Sequence, residues 1–526
     1  MTCSLRLDSL FGCLSILVAM SFCSCNKIET NPYADVSLEQ YASMRSSFFK
    51  VNSDIINKHI ASLIRSDADT LYSDINVRGY YKKGGSYVWI TRTGIDERAD
   101  TLLSFLQSVS ADGFSVDKFF VPQISSDLEK LRTLSFDSLD DINAVMARLE
   151  YRLTKAYFRY ASGTRFGYVN PYKVFNSLDR LSDDSLCRSF RVLYDVDTEV
   201  AGPDFFTTLL SELSSGEIGG FLRSIQPANP YYAILRARLS DSLLSRPHRL
   251  QILANMERCR WRVADTPYSH ASYIVVNIPS YGLSFVSPDT IARMKVCCGA
   301  RKTKTPLLSG HVMRIDINPQ WVIPKSIIKT DIARHAHDDN YFSSRRYFIR
   351  DRRTGKKLPP SEVSADMLLD NDFQVVQEGG AGNSLGRIIF RFANNHSIYL
   401  HDTSSPGAFS RTDRSVSHGC IRLEKPYLLA SLLLGDKGSV LSRIRYSMTA
   451  DVSPLGKKRH EMTQEQMLVA DTLRKDMLIG SVKVTPQIPL FITYYTLFPD
   501  ANGNISDLPD VYGYDERILA IIRNFI

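Results

Sequence analysis

Between Ser397 and Pro426 runs SIYLHDTSSPGAFSRTDRSVSHGCIRLEKP, with one cysteine inside Ser417-His418-Gly419-Cys420-Ile421-Arg422 and a second histidine, His401, upstream. A thiol attacks carbonyls as its thiolate, and a neighbouring imidazole can serve as the base that produces it. If SIYLHD is a strand, Tyr399 and His401 share one face while Leu400 and Asp402 share the other. His401 is then the candidate general base, facing Cys420 from a separate strand. Asp402 is a poor third member for a triad, and a backbone carbonyl is expected to orient the imidazole instead. His418 belongs to the nucleophile's own turn and suits shaping that loop. Gly419 lets a reacting group approach the backbone closely, and amides around Gly419 and Cys420 are candidate oxyanion donors. Arg422 shares the Cys420 side of an extended run and is the candidate anchor for an anionic group.

Competing chemistries fit the residues less well. A zinc site from His401, His418 and Cys420 lacks a fourth ligand at ordinary spacing. A papain-like protease places its histidine well after the cysteine, and His460 in KKRHEM is no suitable partner. Gly380-Ala381-Gly382-Asn383-Ser384-Leu385-Gly386 superficially resembles a phosphate loop, but RIIFRF follows it, a strand where such a loop needs a helix. His335, His337, Asp338 and Asp339 fall at irregular spacing in a polar segment and read as a solvated loop. No metal or cofactor is called for.

The chain that positions these residues has 526 residues, 44% hydrophobic and 23% charged, with a formal charge of +8. That length accommodates two or three domains, and the composition is that of globular protein. The basic residues are scattered without a nucleic-acid motif, so no nucleic-acid partner is implied. At the N-terminus an apolar run from about Ser9 to Phe22 is too short to span a bilayer and reads as a secretory signal. Phe22-Cys23-Ser24-Cys25 resembles a bacterial lipobox, which makes Cys25 the candidate lipid anchor and the membrane a partner. Of the nine cysteines, Cys187, Cys259, Cys297, Cys298 and Cys420 remain, an odd set that leaves a free thiol. Cys297 and Cys298 continue the apolar run ARMKVCC and read as buried small hydrophobes.

The first half has helical texture. ADTLLSFLQSV places Leu102, Leu103, Phe105 and Leu106 on one broad face. In SLDDINAVMARLEYRLTKAYFRY, Ser138 and Asp141 form a capping pair, and Ile142, Val145, Met146, Leu149, Leu153 and Tyr157 follow at helical spacing. From about Tyr268 the texture turns to strands, in YIVVNIPSYGLSFV, SGHVMRIDI, GRIIFRF, HSIYLHD and QIPLFITYYTLF. PYLLASLLLG reads as a short helix whose Leu428, Leu429, Leu432 and Leu433 pack on the sheet. The expected fold class is α+β multidomain: signal 1–25, tether 26–37, helical scaffold domain 38–267 and a mostly-β domain 268–526. A polar segment, 327–377, is expected as an insertion capping the sheet.

YLHDT and SHGCIRL together resemble the active-site signature of bacterial L,D-transpeptidases with a YkuD-type catalytic domain, in the long YcbB-like form. YIVVNIPSYGL, KTPLLSGHVMRIDINPQWVIPKSI, GAGNSLGRIIFRF and IPLFITYYTLFPDANGNISDLPDVYGYD match that family in order, so the resemblance covers roughly Met256 to Asp515. It implies a peptidoglycan cross-linking enzyme that uses Cys420 and His401 on stem peptides and forms 3→3 links through a thioester; the lipobox at Cys25 adds the expectation that it is lipid-anchored in the envelope, facing the periplasm. Tyr399, His418, Gly419 and Arg422 match family active-site positions, and Trp321 in NPQW lies near the start of the capping segment. L,D-carboxypeptidase activity and a non-catalytic wall-binding lipoprotein are the alternatives. One departure stands out: ANPYYAILRARLSDSLLSRPHRL is too short for the peptidoglycan-binding module that many relatives carry there.

Overall fold

The computed structural model describes residues 47–138, 140–181, 189–500 and 503–526. The expected signal, Cys25, the tether and Cys187 lie outside them. Contacts divide the chain into two compact units. One holds Phe119–Phe158 and the described residues up to Leu106; the other holds Gln107–Lys118 and Arg159–Ile526. The division falls inside the helix Ile142–Phe166, so residues 159–267 associate with the β-rich part.

The first unit is helical. Asn52 caps Ser53–Ser66 by accepting from the amides of Asp54 and Ile55, which satisfies donors that the helix cannot pair internally. The helix Arg98–Gln107 buries Ala99, Leu102 and Leu106. The long helix begins at Ile142, and its capping oxygen is that of Asp141, which accepts from Ala144 N at 2.9 Å. Ser138 was expected to share that cap. It sits too far upstream, because the helix starts one residue past Asp141. Val145, Leu149, Leu153 and Tyr157 are fully buried, as helical spacing requires. Glu150, on the same helix, accepts from the amides of Val88, Trp89 and Ile90 and from the Tyr81 hydroxyl. A buried carboxylate with four donors holds its loop where an apolar side chain could not.

In the second unit, eight strands close on themselves: β1 Tyr273–Asn277, β2 Gly282–Val286, β3 Ile291–Gly299, β4 Leu307–Ile317, β5 Ile388–Phe392, β6 Leu400–His401, β7 Ile421–Leu423 and β8 Ser481–Thr493. Their order is β5-β6-β7-β3-β2-β1-β8-β4, and β4 pairs back onto β5. Most neighbours are antiparallel; β6 with β7 and β1 with β8 run parallel. The register aligns Ile315, Phe390, Leu400 and Ile421 in one cross-strand row. All four are fully buried, so one face of the ring is apolar and the register is fixed by it.

The helix Arg246–Arg260 buries charged residues of its own. Glu257 accepts from Val169 N and pairs with Arg260, while Arg258 pairs with Asp515. Each buried charge meets an opposite one, the arrangement that makes such burial tolerable. The helix Pro426–Leu434 ends at Gly435. It buries Leu429, Ala430, Leu433 and Leu434, whereas Leu428 is exposed, so its packed face lies further round than the leucine run suggested.

Between β4 and β5 the chain builds a separate sheet of Trp321–Val322, Tyr347–Asp351, Lys357–Leu358 and Phe373–Gln377. It has its own core of Ile323, Ile328, Ile332, Phe342, Ile349, Val363, Leu368 and Val375. The cap therefore takes in Trp321 and Ile323 as well as the segment from 327. Its polar surface masked this core in the sequence, because the apolar residues come from five short elements and two connecting positions, Ile323 and Val363.

Candidate active site

Cys420 stands immediately before β7. Ile421 N donates to Tyr399 O at 3.0 Å, and the register pairs Leu400 with Ile421 and His401 with Arg422. In parallel strands paired residues share a face, so Tyr399, His401, Cys420 and Arg422 fall together on the face opposite buried Leu400 and Ile421. The row continues sideways: His401 is paired with Ile389 and Arg422 with Cys297.

His401 is 4% exposed, and burial drops its imidazole to about 4, with the Arg422 charge pushing the same way. Backbone groups of Asp402 and Leu385 lie beside the ring and favour its charged form, though Nδ1 makes no hydrogen bond among the described residues. Cys420 is half-buried, and burial pushes its thiol up to about 11. The Tyr399 backbone and the Arg422 guanidinium act against that rise without cancelling it. Its Sγ donates to Ser397 O at 3.6 Å. The imidazole was expected to act as the base that produces the thiolate; in this resting site both groups are held neutral.

The nucleophile's turn is built from short side chains. Ser417 Oγ donates to Cys420 O at 2.6 Å and accepts from Gly419 N at 3.1 Å. Gly419 has φ 117°, a conformation that L side chains rarely adopt, and an added Cβ would sit 3.3 Å from Ile398 Cδ1. From below, Thr305 Oγ1 donates to Gly419 O at 2.7 Å and Thr303 Oγ1 to Ser417 O at 2.8 Å. The Gly419 amide is thus occupied. The Cys420 amide finds no acceptor among the described residues, which leaves it as the amide free to meet an oxyanion.

Other expected residues take varied places. Tyr399 is half-buried under Arg391, whose guanidinium lies 5.1 Å from its ring centre, and Arg391 pairs with Asp316. His418 is exposed at the turn. Arg422 keeps a buried Nε without an acceptor among the described residues. Trp321 pairs with Gln377 at the base of the cap and packs on the cap core. Asp402 accepts from Arg387 N at 2.8 Å through Oδ2, away from the imidazole. Gly386 lies against it, where a Cβ would come 2.4 Å from Asp402 Cβ. Ser397, Thr303 and Thr305 were missed. Their roles depend on contacts across more than a hundred positions or on one left-handed residue, Ser397 at φ 55°.

Cys259, Cys297 and Cys298 are free buried thiols. Among the described residues, no group of three or more His, Cys, Asp and Glu side chains is gathered for a metal ion. Likewise no described helix is long and apolar enough to cross a membrane.

The architecture is α+β, a helical region joined to a β-rich domain that carries His401 on one strand and Cys420 immediately before its parallel neighbour. Residues 271–440 match the L,D-transpeptidase catalytic domain family, YkuD, and residues 76–239 match the Scaffold domain family. A stretch of 248 residues is 32% identical to a Haemophilus influenzae protein named "Putative L,D-transpeptidase", covering 47% of this chain and 45% of that protein. The chain thus spans about half the length of the curated relative it matches. It carries an L,D-transpeptidase catalytic domain of the YkuD family behind a scaffold domain.

Proposed function

We propose that the chain is a peptidoglycan L,D-transpeptidase that forms 3→3 cross-links through a thioester on Cys420. The observation that carries this reading is the shared face of Cys420, Arg422, His401 and Tyr399 across two parallel strands. Because thiol and imidazole rest neutral, proton transfer accompanies attack instead of preceding it. As Sγ bonds to the carbonyl carbon before the terminal D-alanine, its proton passes to His401 and the oxyanion meets the Cys420 amide. His401 returns that proton to the departing D-alanine amine as the C–N bond breaks. The side-chain amine of a second stem then attacks the thioester, loses its proton through His401, and frees the thiolate to be reprotonated. Arg422 suits a carboxylate of the donor stem.

The test is intact-protein mass spectrometry with a tetrapeptide-stem muropeptide, with the products separated in parallel. The expected result is an adduct lacking D-alanine, followed by cross-linked dimers. Cys420→Ala should gain no adduct, and Asp402→Asn, whose amide oxygen can still accept from Arg387 N, should react at near the native rate. Trimming to tripeptide with no dimer would instead make the enzyme an L,D-carboxypeptidase. A Cys420→Ala protein that still acquires the adduct overturns the nucleophile assignment.

The N-terminal reading belongs to the same proposal. Lipid on Cys25 would tether the enzyme in the envelope, facing the periplasm, beside its substrate. Cys25→Ser should move the protein from the membrane fraction to the soluble exported fraction, and retention in the membrane would refute the anchor.

A further inference from the structure

The thiol lies between two loops, and each is held at its tip by a carboxylate from outside the catalytic domain. The first loop follows β3. It carries Thr303 and Thr305, whose hydroxyls grip the carbonyls of Ser417 and Gly419 on the nucleophile's turn. Lys304, between them, donates to Asp179 Oδ1 at 2.5 Å, and Arg191 holds Lys302 O at 3.0 Å. The second loop joins β5 to β6. Asn394 organises it, with Oδ1 accepting from His396 N and Ile398 N while Nδ2 donates to Phe392 O and Ile398 O. This loop presents Ser397 O to the thiol and leads into the Tyr399 backbone that favours the thiolate. At its apex His396 Nε2 meets Asp195 Oδ2 at 2.8 Å.

Asp179 and Asp195 come from one braced segment. Asn176 Oδ1 accepts from Leu193 N and Tyr194 N, tying the segment's start to its end. Its end, Tyr194–Asp195, adds as a parallel strand to Leu307–Leu308, two positions after Thr305. All of these residues belong to the second unit, and both aspartates fall within the Scaffold match.

We propose that Asp195 and Asp179 are positioning residues for Cys420: through His396 and Lys304 they fix the two loops that set where the thiol points and what its turn presents to a substrate. The acylation arm of the test rests on the transpeptidase reading. Asp195 is exposed, so its contact with His396 adds little to global stability; Lys304–Asp179 is more enclosed, and melting curves must establish that variants at Asp179 fold. Ångström-scale displacement of a nucleophile, by contrast, is costly in rate.

The experiment compares the full chain with Asp195→Ala, Asp179→Ala, the double variant and Asp195→Asn, which keeps an acceptor for His396. Single-turnover acylation by a tetrapeptide stem is followed across donor concentration, and Cys420 alkylation by iodoacetamide across pH. Each alanine variant should lower the maximal acylation rate by about tenfold, with the half-saturating concentration unchanged and, in Asp195→Ala, the melting temperature unchanged. The double variant should be slower still, and Asp195→Asn should recover most of the loss. In the alanine variants the alkylation midpoint of Cys420 should fall from about 11 towards the ordinary thiol value as its enclosure loosens. A double variant with native maximal rate and native alkylation midpoint overturns the proposal. If the native chain is not acylated, the transpeptidase reading fails, and the alkylation midpoint alone decides the positioning role.

Discussion

His401 and Arg422 stand paired on adjacent parallel strands, a buried imidazole beside a guanidinium whose Nε has no acceptor among the described residues. Two cations so placed would repel, so Arg422 adds to burial, the larger cause, in keeping the histidine neutral, while it favours ionisation of the thiol on the same face. A single arginine thereby biases both partners of a proton transfer, in opposite senses.

Arg422→Gln should raise the protonation midpoint of His401 from about 4, yet leave it below the ordinary histidine value, because burial is the larger cause. The Cys420 midpoint should rise as well, since a cation favouring the thiolate is gone. NMR titration of the labelled histidine ring reads the first change, and pH-dependent alkylation reads the second. A His401 midpoint that falls or stays fixed would show that the guanidinium does not act on the ring.

Stability should depend on pH through the same histidine. Below about pH 6.5 the unfolded chain binds a proton at this position that the folded chain refuses until about pH 4. More protons bound in the unfolded state means stability lost as pH falls across that window, on the order of 3 kcal/mol in total. His401→Gln cannot make this change. Urea midpoints of native and variant proteins should therefore converge, or cross in the variant's favour, between pH 6.5 and pH 4. Parallel curves would contradict the buried neutral imidazole.

Thr305 is a third point of sensitivity. It is fully buried, donates to Gly419 O and accepts from Gly299 N. Thr305→Val keeps the shape and strands both backbone groups, at a cost of about 1–3 kcal/mol for each group left unsatisfied. Thr305→Ser keeps the hydroxyl and should restore most of the loss. Chemical denaturation measures the stability difference, and the Cys420 acylation rate should fall in the valine variant alone. Equal behaviour of the two variants would mean that the hydroxyl is idle.

What the sequence disclosed here followed local periodicity. Alternation in HSIYLHD was enough to set His401 and Tyr399 against Leu400 and Asp402, and the register pairs Leu400 with Ile421 but His401 with Arg422. Texture likewise separated the helical half from the strands. Three things had no local signature. Ring closure depends on β4 meeting β5 across the cap insertion. The support under Gly419 comes from Thr305, remote in sequence, and the Gly419 amide is taken by a serine two positions away. The thiol's high pKa is a property of enclosure, and no motif records how deeply a side chain will be enclosed.

The cap supplies the last prediction. Trp321 pairs with Gln377, so the insertion leaves and rejoins the ring at adjacent points. Asn383 Nδ2 donates to both Pro319 O and Glu378 O, binding the two ends together from outside the cap. The cap core needs Ile323 as well as residues from 328 to 375. Excising Trp321–Gln377 and bridging Gln320 to Glu378 with a short glycine-serine linker should therefore leave a soluble folded ring with a titratable Cys420 and slower stem-peptide acylation. Cutting 327–377 alone removes the partners of Trp321 and Ile323 and strands them in solvent, where contiguous apolar surface promotes association. Size-exclusion chromatography and thermal melting of the two deletions distinguish them. A monomeric, cooperatively melting 327–377 deletion beside an aggregated longer one would show that the cap's first strand belongs to the ring.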